Sequence, residues 1–333
     1  MTTPLLQIRG LKTHFFVESG IAKAVDDIDL DIRPGEVLGL VGESGSGKSV
    51  TALSILRLIP DPPGHIAAGE IWFQGRDLLS LSWAEIRRVR GREISMIFQE
   101  PMTSLNPVFT IGRQVMEMIL AHEPTTSREQ ARARSIEILT EVGIPEPATR
   151  MDQYPHELSG GMRQRVMIAI ALVLNPALLI ADEPTTALDV TIQAQILDLM
   201  LELKARHVGG AILLITHNLA VVAETCDRVA VMYGGKIQEV ALVRDLFRNP
   251  LHPYTRGLLA SLPRVDGERA TRLTTIPGAV PDIHNLPAGC KFSTRCAERF
   301  EPCDSIEPEL IEAAPEHWVR CHLHDRPHGR DDG

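Results

Sequence analysis

Basic residues are in deficit: Lys and Arg number 34 against 43 Asp and Glu, a formal net charge of −9. A nucleic-acid binder more often carries a basic balance or a basic stripe, so no nucleic-acid partner is expected. Long apolar runs are missing too. The longest, Val166 to Leu174, stops at Asn175-Pro176, short of the roughly 18 residues that a membrane span needs. Met1-Thr2-Thr3-Pro4 has neither the basic nor the apolar region of a signal peptide. The chain is expected to stay in the cytosol and to reach any membrane process by docking on other chains. Cysteines are few, five in 333 residues, and a disulfide framework is not expected in a cytosolic chain of this size. No internal repeat and no low-complexity tract stands out.

What is present is ordinary globular material: 44% hydrophobic and 23% charged residues, in a length that suits a core domain plus an appendage. Leu5–Arg9, Lys12–Val17 and Ala24–Ile32 have the composition and alternation of strands, the first two separated by Gly10. Val37–Val41 is a short apolar run that fits a buried strand, followed by a Gly/Ser-rich loop and an apolar helix from about Lys48 to Leu58. Residues from about 100 to 175 read mostly as helices, among them Ser127–Val142. Ala177–Ala181, Ala211–Thr216 and Arg228–Tyr233 are further strand candidates, with helices over Val190–Arg206 and Asn218–Glu224. Strands alternating with helices predict a mainly parallel α/β sheet. After about Asp245 prolines recur at 250, 253, 263, 277, 281 and 287, the texture of an extension.

Gly42-Glu43-Ser44-Gly45-Ser46-Gly47-Lys48-Ser49 fits G-x-x-x-x-G-K-[ST] between a predicted strand and a predicted helix, the context this motif requires. Gly42, Gly45 and Gly47 let backbone N–H groups turn inward around phosphate oxygens, with Ser44 in the same turn. The helix N-terminus adds partial positive charge. Lys48 neutralises the outer phosphates and Ser49 offers Mg²⁺ its hydroxyl. Leu178–Asp182 followed by Glu183 is an apolar strand ending in two acids. Asp182 is expected in the Mg²⁺ shell, and Glu183 is placed to orient or deprotonate the attacking water.

Leu158-Ser159-Gly160-Gly161-Met162-Arg163-Gln164-Arg165 is a second helix start suited to phosphate. Ser159 can cap it, and Gly160 and Gly161 expose N–H groups. This segment resembles the signature of ATP-binding-cassette ATPases. The resemblance implies a P-loop NTPase (RecA-like) α/β core with a β-subdomain and an α-helical subdomain at about 100–175. It also implies a head-to-tail pair of subunits in which the Ser159 segment faces the γ-phosphate held by the partner's loop. Further positions match. Gln99 stands for the glutamine that senses Mg²⁺ and water, Asp189 for the acid of the loop crossing the pair's interface, and His217 for the γ-phosphate histidine. Phe15, or its neighbour Phe16, stands for the aromatic that stacks on adenine, which needs only a π-face.

The resemblance covers the whole length, as a domain over 1–245 and an extension over 246–333. Within the family the chain is similar to the ATPase subunit of oligopeptide and dipeptide importers. Supporting segments are Gln99–Pro107, Arg165–Ala169, Asn249–Thr255 and Ile276–Asp282, with Met162 fitting one of two paired ATPase types. That implies ATP hydrolysis driving peptide uptake at the cytoplasmic face of the membrane. It implies a second, related ATPase subunit as heterodimer partner, two transmembrane permease subunits and, indirectly, an extracytoplasmic solute-binding protein. Nickel or glutathione as cargo, and a soluble cassette ATPase outside transport, stay open as alternatives.

Cys290, Cys296, Cys303 and Cys321 fall in the last 44 residues, with gaps of 5, 6 and 17. These are not the C-x₂-C pairs of common zinc ribbons. Four thiolates can hold Zn²⁺ or an iron–sulfur cluster, and the alternative is four unlinked thiols. The resemblance implies a [4Fe–4S] cluster, and a structural role is expected for it because a short, proline-rich extension buries little apolar surface. His322 and His324 are near enough in sequence to substitute as ligands. Cys226 is expected to be a buried apolar residue.

Overall fold

A computed structural model of the chain describes residues 3–99, 105–184, 190–206, 210–262 and 275–325. In chain order the strands are β1 (Leu6–Val17), β2 (Gly20–Ile32), β3 (Val37–Val41), β4 (Gly64–Phe73), β5 (Arg76–Asp77), β6 (Ile94–Ile97), β7 (Leu178–Asp182), β8 (Ala211–Thr216), β9 (Arg228–Tyr233), β10 (Lys236–Leu242), β11 (Ile311–Ala314) and β12 (His317–Val319). The α-helices are α1 (Lys48–Ile55), α2 (Trp83–Val89), α3 (Ile111–His122), α4 (Arg128–Glu141), α5 (Pro147–Arg150), α6 (Gly160–Leu172), α7 (Val190–Arg206), α8 (Leu219–Thr225), α9 (Val243–Arg248) and α10 (Pro253–Ala260). Among the described residues no helix is long and apolar enough to cross a membrane.

The chain divides into two compact units. One is formed by Met1–Leu6, Ile32–Val37 and Trp72–Ile215. Its sheet joins β6, β7 and β8 in parallel, with Leu178 opposite Ile94 on one side and Ala211 on the other. Every residue of β7 and β8 is buried, which is why both read as unbroken apolar runs rather than alternating ones. The helices of this unit start where a side chain can take up free N–H groups. Ser82 with Glu85 and Ser127 with Gln130 form capping boxes ahead of α2 and α4. Thr110 accepts from the Arg113 N–H ahead of α3.

The other unit is formed by Gln7–Asp31, Leu38–Ile71 and Thr216–Gly333. In it β3 pairs in parallel with β9, β9 antiparallel with β10, β10 with β12 and β12 with β11. The predicted break at Gly10 does not interrupt β1. Gly10 takes a left-handed φ of 55° and its N–H donates to Asp29 Oδ1 at 3.0 Å, so the strand runs on. The tail is not merely laid over the core: β12 extends the sheet. Glu239 of β10, fully buried, accepts from the N–H groups of Leu251 and His252 at 2.8 and 3.0 Å and pairs with His317 of β12 at 2.7 Å. Burial alone would raise the Glu239 pKa. Those hydrogen bonds outweigh it and hold the carboxyl below its usual range.

Candidate functional site

The phosphate-type loop joins β3 to α1. Its glycines are there of necessity. Gly47, at φ 107°, precedes α1, and a Cβ on it would lie 2.3 Å from the Ala24 carbonyl oxygen. At Gly42 a Cβ would meet the Met232 carbonyl oxygen at 2.1 Å. Ser44 and Gly45 are exposed, whereas Ser46 and Lys48 are buried. The Lys48 ammonium donates to the carbonyls of Gly42 and Glu43 at 2.9 and 3.0 Å, so a buried cation rests on the backbone of its own loop. Ser49 is half-buried in the first turn of α1. In the same unit His217 is exposed beyond β8, one residue before Asn218, which caps α8 by accepting from the Ala220 N–H at 3.0 Å. Phe15 is half-buried, its ring carbons 2.8 and 3.1 Å from where a Cβ on Gly64 would sit, and Phe16 is 52% exposed.

In the first unit β7 ends at Asp182, 4% exposed, and Glu183 follows with a left-handed φ of 45°. An L residue pays on the order of 1 kcal/mol or more for that conformation. The turn is held because the Glu183 N–H donates to the Ile215 carbonyl at 2.9 Å. Its carboxylate accepts from Gln99 Nε2 at 3.1 Å. Gln99 and Glu183, 84 positions apart in sequence, are thus brought together. Sequence reasoning passed over Gln164, fully buried on α6, whose amide donates to the Pro184 carbonyl beside Glu183. Its only signal was a polar residue on an otherwise apolar helix face. Ser159 caps α6, accepting from the Met162 N–H at 3.3 Å. Both Ser159 and Gly160 are exposed, and a Cβ on Gly160 would meet nothing within 4 Å, so this helix start is open to an approaching group. Asp189, and Glu100 to Ser104, lie outside the described residues.

All five cysteines are free thiols. Cys290, Cys303 and Cys321 are buried, Cys296 half-buried, and the four line one recess with Phe292, Phe300 and His252. Desolvation pushes the Cys290 thiol up to about 11 and the Cys321 thiol up to about 12. Among the described residues no group of three or more His, Cys, Asp or Glu is arranged to hold a single metal ion. The two candidate histidines are committed elsewhere. His322 Nδ1 meets Asp325 at 2.6 Å and its Nε2 the Ile306 carbonyl at 2.8 Å, while His324 Nε2 meets the Leu251 carbonyl at 3.2 Å. Cys226 sits at the C-terminal end of α8, half-buried, packed on the second unit's apolar core.

No local signal gives an individual role to Glu43, Tyr254 or Arg295. Arg295 forms a two-pronged ion pair with Glu43 of the loop, at 2.5 and 3.1 Å. The pairing and the Tyr233 hydroxyl raise the arginine's pKa further, keeping it charged. The contact joins positions 252 residues apart, and no local pattern announces it.

Comparison with known proteins fits this geometry. Residues 25–186 match the family described as ABC transporter, and residues 239–303 the one described as oligopeptide/dipeptide transporter, C-terminal region. The oligopeptide transport ATP-binding protein AppD of Bacillus subtilis is 52% identical over 321 residues, covering 96% of this chain and 97% of that protein. The dipeptide transport ATP-binding protein DppD of the same organism is 48% identical over 322 residues, covering 97% and 95%. The ATP-binding cassette MJ0796, solved as a dimer in a post-hydrolysis state with ADP and Pi, has a TM-score of 0.64 at 28% identity and covers 72% of this chain and 99% of that one. A phosphate loop forced on its glycines, acids at the end of a buried strand and whole-length likeness to peptide-transport ATP-binding proteins lead to one conclusion: this chain belongs to the family of ATP-binding subunits of ABC peptide transporters.

Proposed function

We propose that this chain hydrolyses ATP to drive peptide uptake through partner membrane subunits, from the cytoplasmic face of the membrane. The observation that carries this reading is the loop: a buried lysine seated on its own backbone carbonyls at a helix start, where only glycine fits at positions 42 and 47. An incoming triphosphate offers Lys48 stronger, charged acceptors than two neutral carbonyls. The loop and α1 would then hold the phosphates, with Phe15 on the adenine. Mg²⁺ prefers hard oxygen ligands, the kind that the Ser49 hydroxyl, the Asp182 carboxylate and the Gln99 amide oxygen each offer. When bound it neutralises charge on the phosphate oxygens. Glu183 takes the proton of the attacking water, Gln99 holds that carboxylate in place, and His217 contacts the γ-phosphate. Gly42, Ser44, Gly45 and Gly47 shape the cradle.

Ser159, Gly160 and Gly161 would serve the nucleotide of a second, related ATPase subunit, with Asp189 at the interface of the two. ATP binding favours the closed pair, and hydrolysis reopens it, a two-state shift driven by differential affinity. The motor domain is assigned to 1–245, with helices at about 100–175 facing two permease subunits, and the extension to 246–333. Uptake of a labelled dipeptide and of a labelled pentapeptide should be lost from cells deprived of this chain and regained on its return. Normal peptide uptake without it, with failed nickel or glutathione uptake instead, would transfer the motor to another cargo.

The cysteine recess is assigned a [4Fe–4S] cluster. The alternative occupant is Zn²⁺, which takes thiolate ligands tetrahedrally at about 2.3 Å. Cys290, Cys296, Cys303 and Cys321 would each supply one thiolate to the cluster. Four thiols around a recess walled by Phe292 and Phe300 suit it, and it would stabilise a proline-rich tail that buries little on its own. Anaerobically purified protein should carry about four irons per chain, and iron removal should lower its melting temperature. One zinc per chain, or no change on iron removal, would refute this assignment.

A further inference from the structure

The extension reaches into the phosphate loop at Glu43. Glu43, second in the loop, is gripped on three sides. Its carboxylate takes both prongs of Arg295, 2.5 Å from Nη1 and 3.1 Å from Nη2. Its N–H donates to the hydroxyl of Tyr254, a fully buried residue of α10, at 2.8 Å. Its carbonyl is one of the two seats of the Lys48 ammonium, at 3.0 Å.

Arg295 is itself immobilised. Its side chain is 4% exposed. Nε donates to the Pro277 carbonyl at 3.1 Å, Nη2 also to the Ile276 carbonyl at 3.4 Å, and Nη1 to the Tyr233 hydroxyl at 3.4 Å. The guanidinium lies 5.8 Å from the Tyr233 ring centre and 5.9 Å from that of Phe292. Tyr233, Tyr254 and Phe292 pack on one another with centroids 4.7 to 5.3 Å apart. A guanidinium whose donors are all spent on a rigid frame acts as a fixed post, not a mobile surface charge.

We propose that Arg295 is a positioning residue of the phosphate loop: through Glu43, and with Tyr254, the extension sets the shape in which the loop receives nucleotide. Both charge-paired contacts of the post end on Glu43, and Glu43 in turn carries a carbonyl that seats Lys48. A purely structural ion pair could tie the extension to any part of the core. This one is tied to the residue whose carbonyl Lys48 gives up when it turns to a phosphate. Because Arg295 directly precedes Cys296, disorder at the cysteine recess would reach the loop through one peptide bond and one ion pair.

The inference rests on the reading of residues 42–49 as the ATP site, so the test separates the two. Mg²⁺–ATP and Mg²⁺–ADP are titrated into the purified full-length chain, and nucleotide-free melting is recorded in parallel. Arg295→Ala and Glu43→Ala are each expected to weaken both nucleotides about tenfold, within the usual range of coupling between sites. The double variant should be no weaker than the worse single one, since both break the same link. Tyr254→Phe keeps the ring packing and removes one hydrogen bond, with an expected loss of about fivefold. Tyr254→Phe with wild-type affinity, or alanine variants that melt earlier yet bind as wild type, would make Arg295 a structural anchor and overturn the proposal. A wild-type chain that binds neither nucleotide would instead overturn the reading of the loop.

Discussion

Glu183→Gln is expected to bind ATP as wild type does, to pair with its partner subunit in the presence of ATP, and to lose turnover by at least about 10²-fold. The substitution keeps the size of the side chain and a carbonyl oxygen for the Gln99 amide, which donates to Glu183 Oε2 at 3.1 Å. What it removes is the proposed base. The backbone argument points the same way. A left-handed φ of 45° on a non-glycine residue costs on the order of 1 kcal/mol, and the Ile215 carbonyl holds the turn in place. The turn sets the carboxylate beside the Gln99 amide. Single-turnover ATP hydrolysis by the assembled complex, alongside equilibrium ATP binding, measures both halves of the prediction. Turnover within a few-fold of wild type would take Glu183 out of the catalytic role, and lost binding would make its role structural.

Gly47→Ala is expected to abolish nucleotide binding, by about 100-fold or more, while Gly45→Ala costs about tenfold or less. Both glycines have positive φ, 107° and 78°, so both substitutions carry backbone strain of about 1 kcal/mol or somewhat more. The difference is space. A Cβ at Gly45 would meet nothing within 4 Å, whereas at Gly47 it would lie 2.3 Å from the Ala24 carbonyl oxygen and 2.6 Å from the Met232 methyl. A flexible methyl can shift. A backbone carbonyl in β2 cannot, so α1 and Lys48 must move instead. Titration of Mg²⁺–ATP into the two variants distinguishes the cases, and equal losses would show that strain, not close approach, governs the loop.

How much of this was legible depended on sequence distance. The loop at 42–49, the strand ending in Asp182 and Glu183, and the capped helix at Ser159 are each contiguous, and each needs residue types that few other contexts demand. Strands β7 and β8 were legible because burial on both faces leaves no polar position to confuse the pattern. Gly10 was misleading: a glycine inside a strand signals either an end or a kink, and only the Asp29 side chain, 19 residues on, decided for the kink. The tail was the least legible part. Its strand β12 joins β10 through Glu239 and His317, 78 residues apart, and its histidines proved to be spent on Asp325 and on backbone carbonyls rather than free to ligate.

The amino-acid order alone pointed to the family: a glycine-rich loop ahead of a helix, a lysine at its end and two acids after a buried apolar strand. Such motifs act through neighbours along the chain, so their constraints are written in adjacent letters. Only the tertiary structure decided that four cysteines share one recess and that Arg295 closes on Glu43 from 252 positions away. A long-range ion pair is specified by where the sheet and its aromatic packing place two side chains, and any acid and any arginine in the sequence would have looked the same.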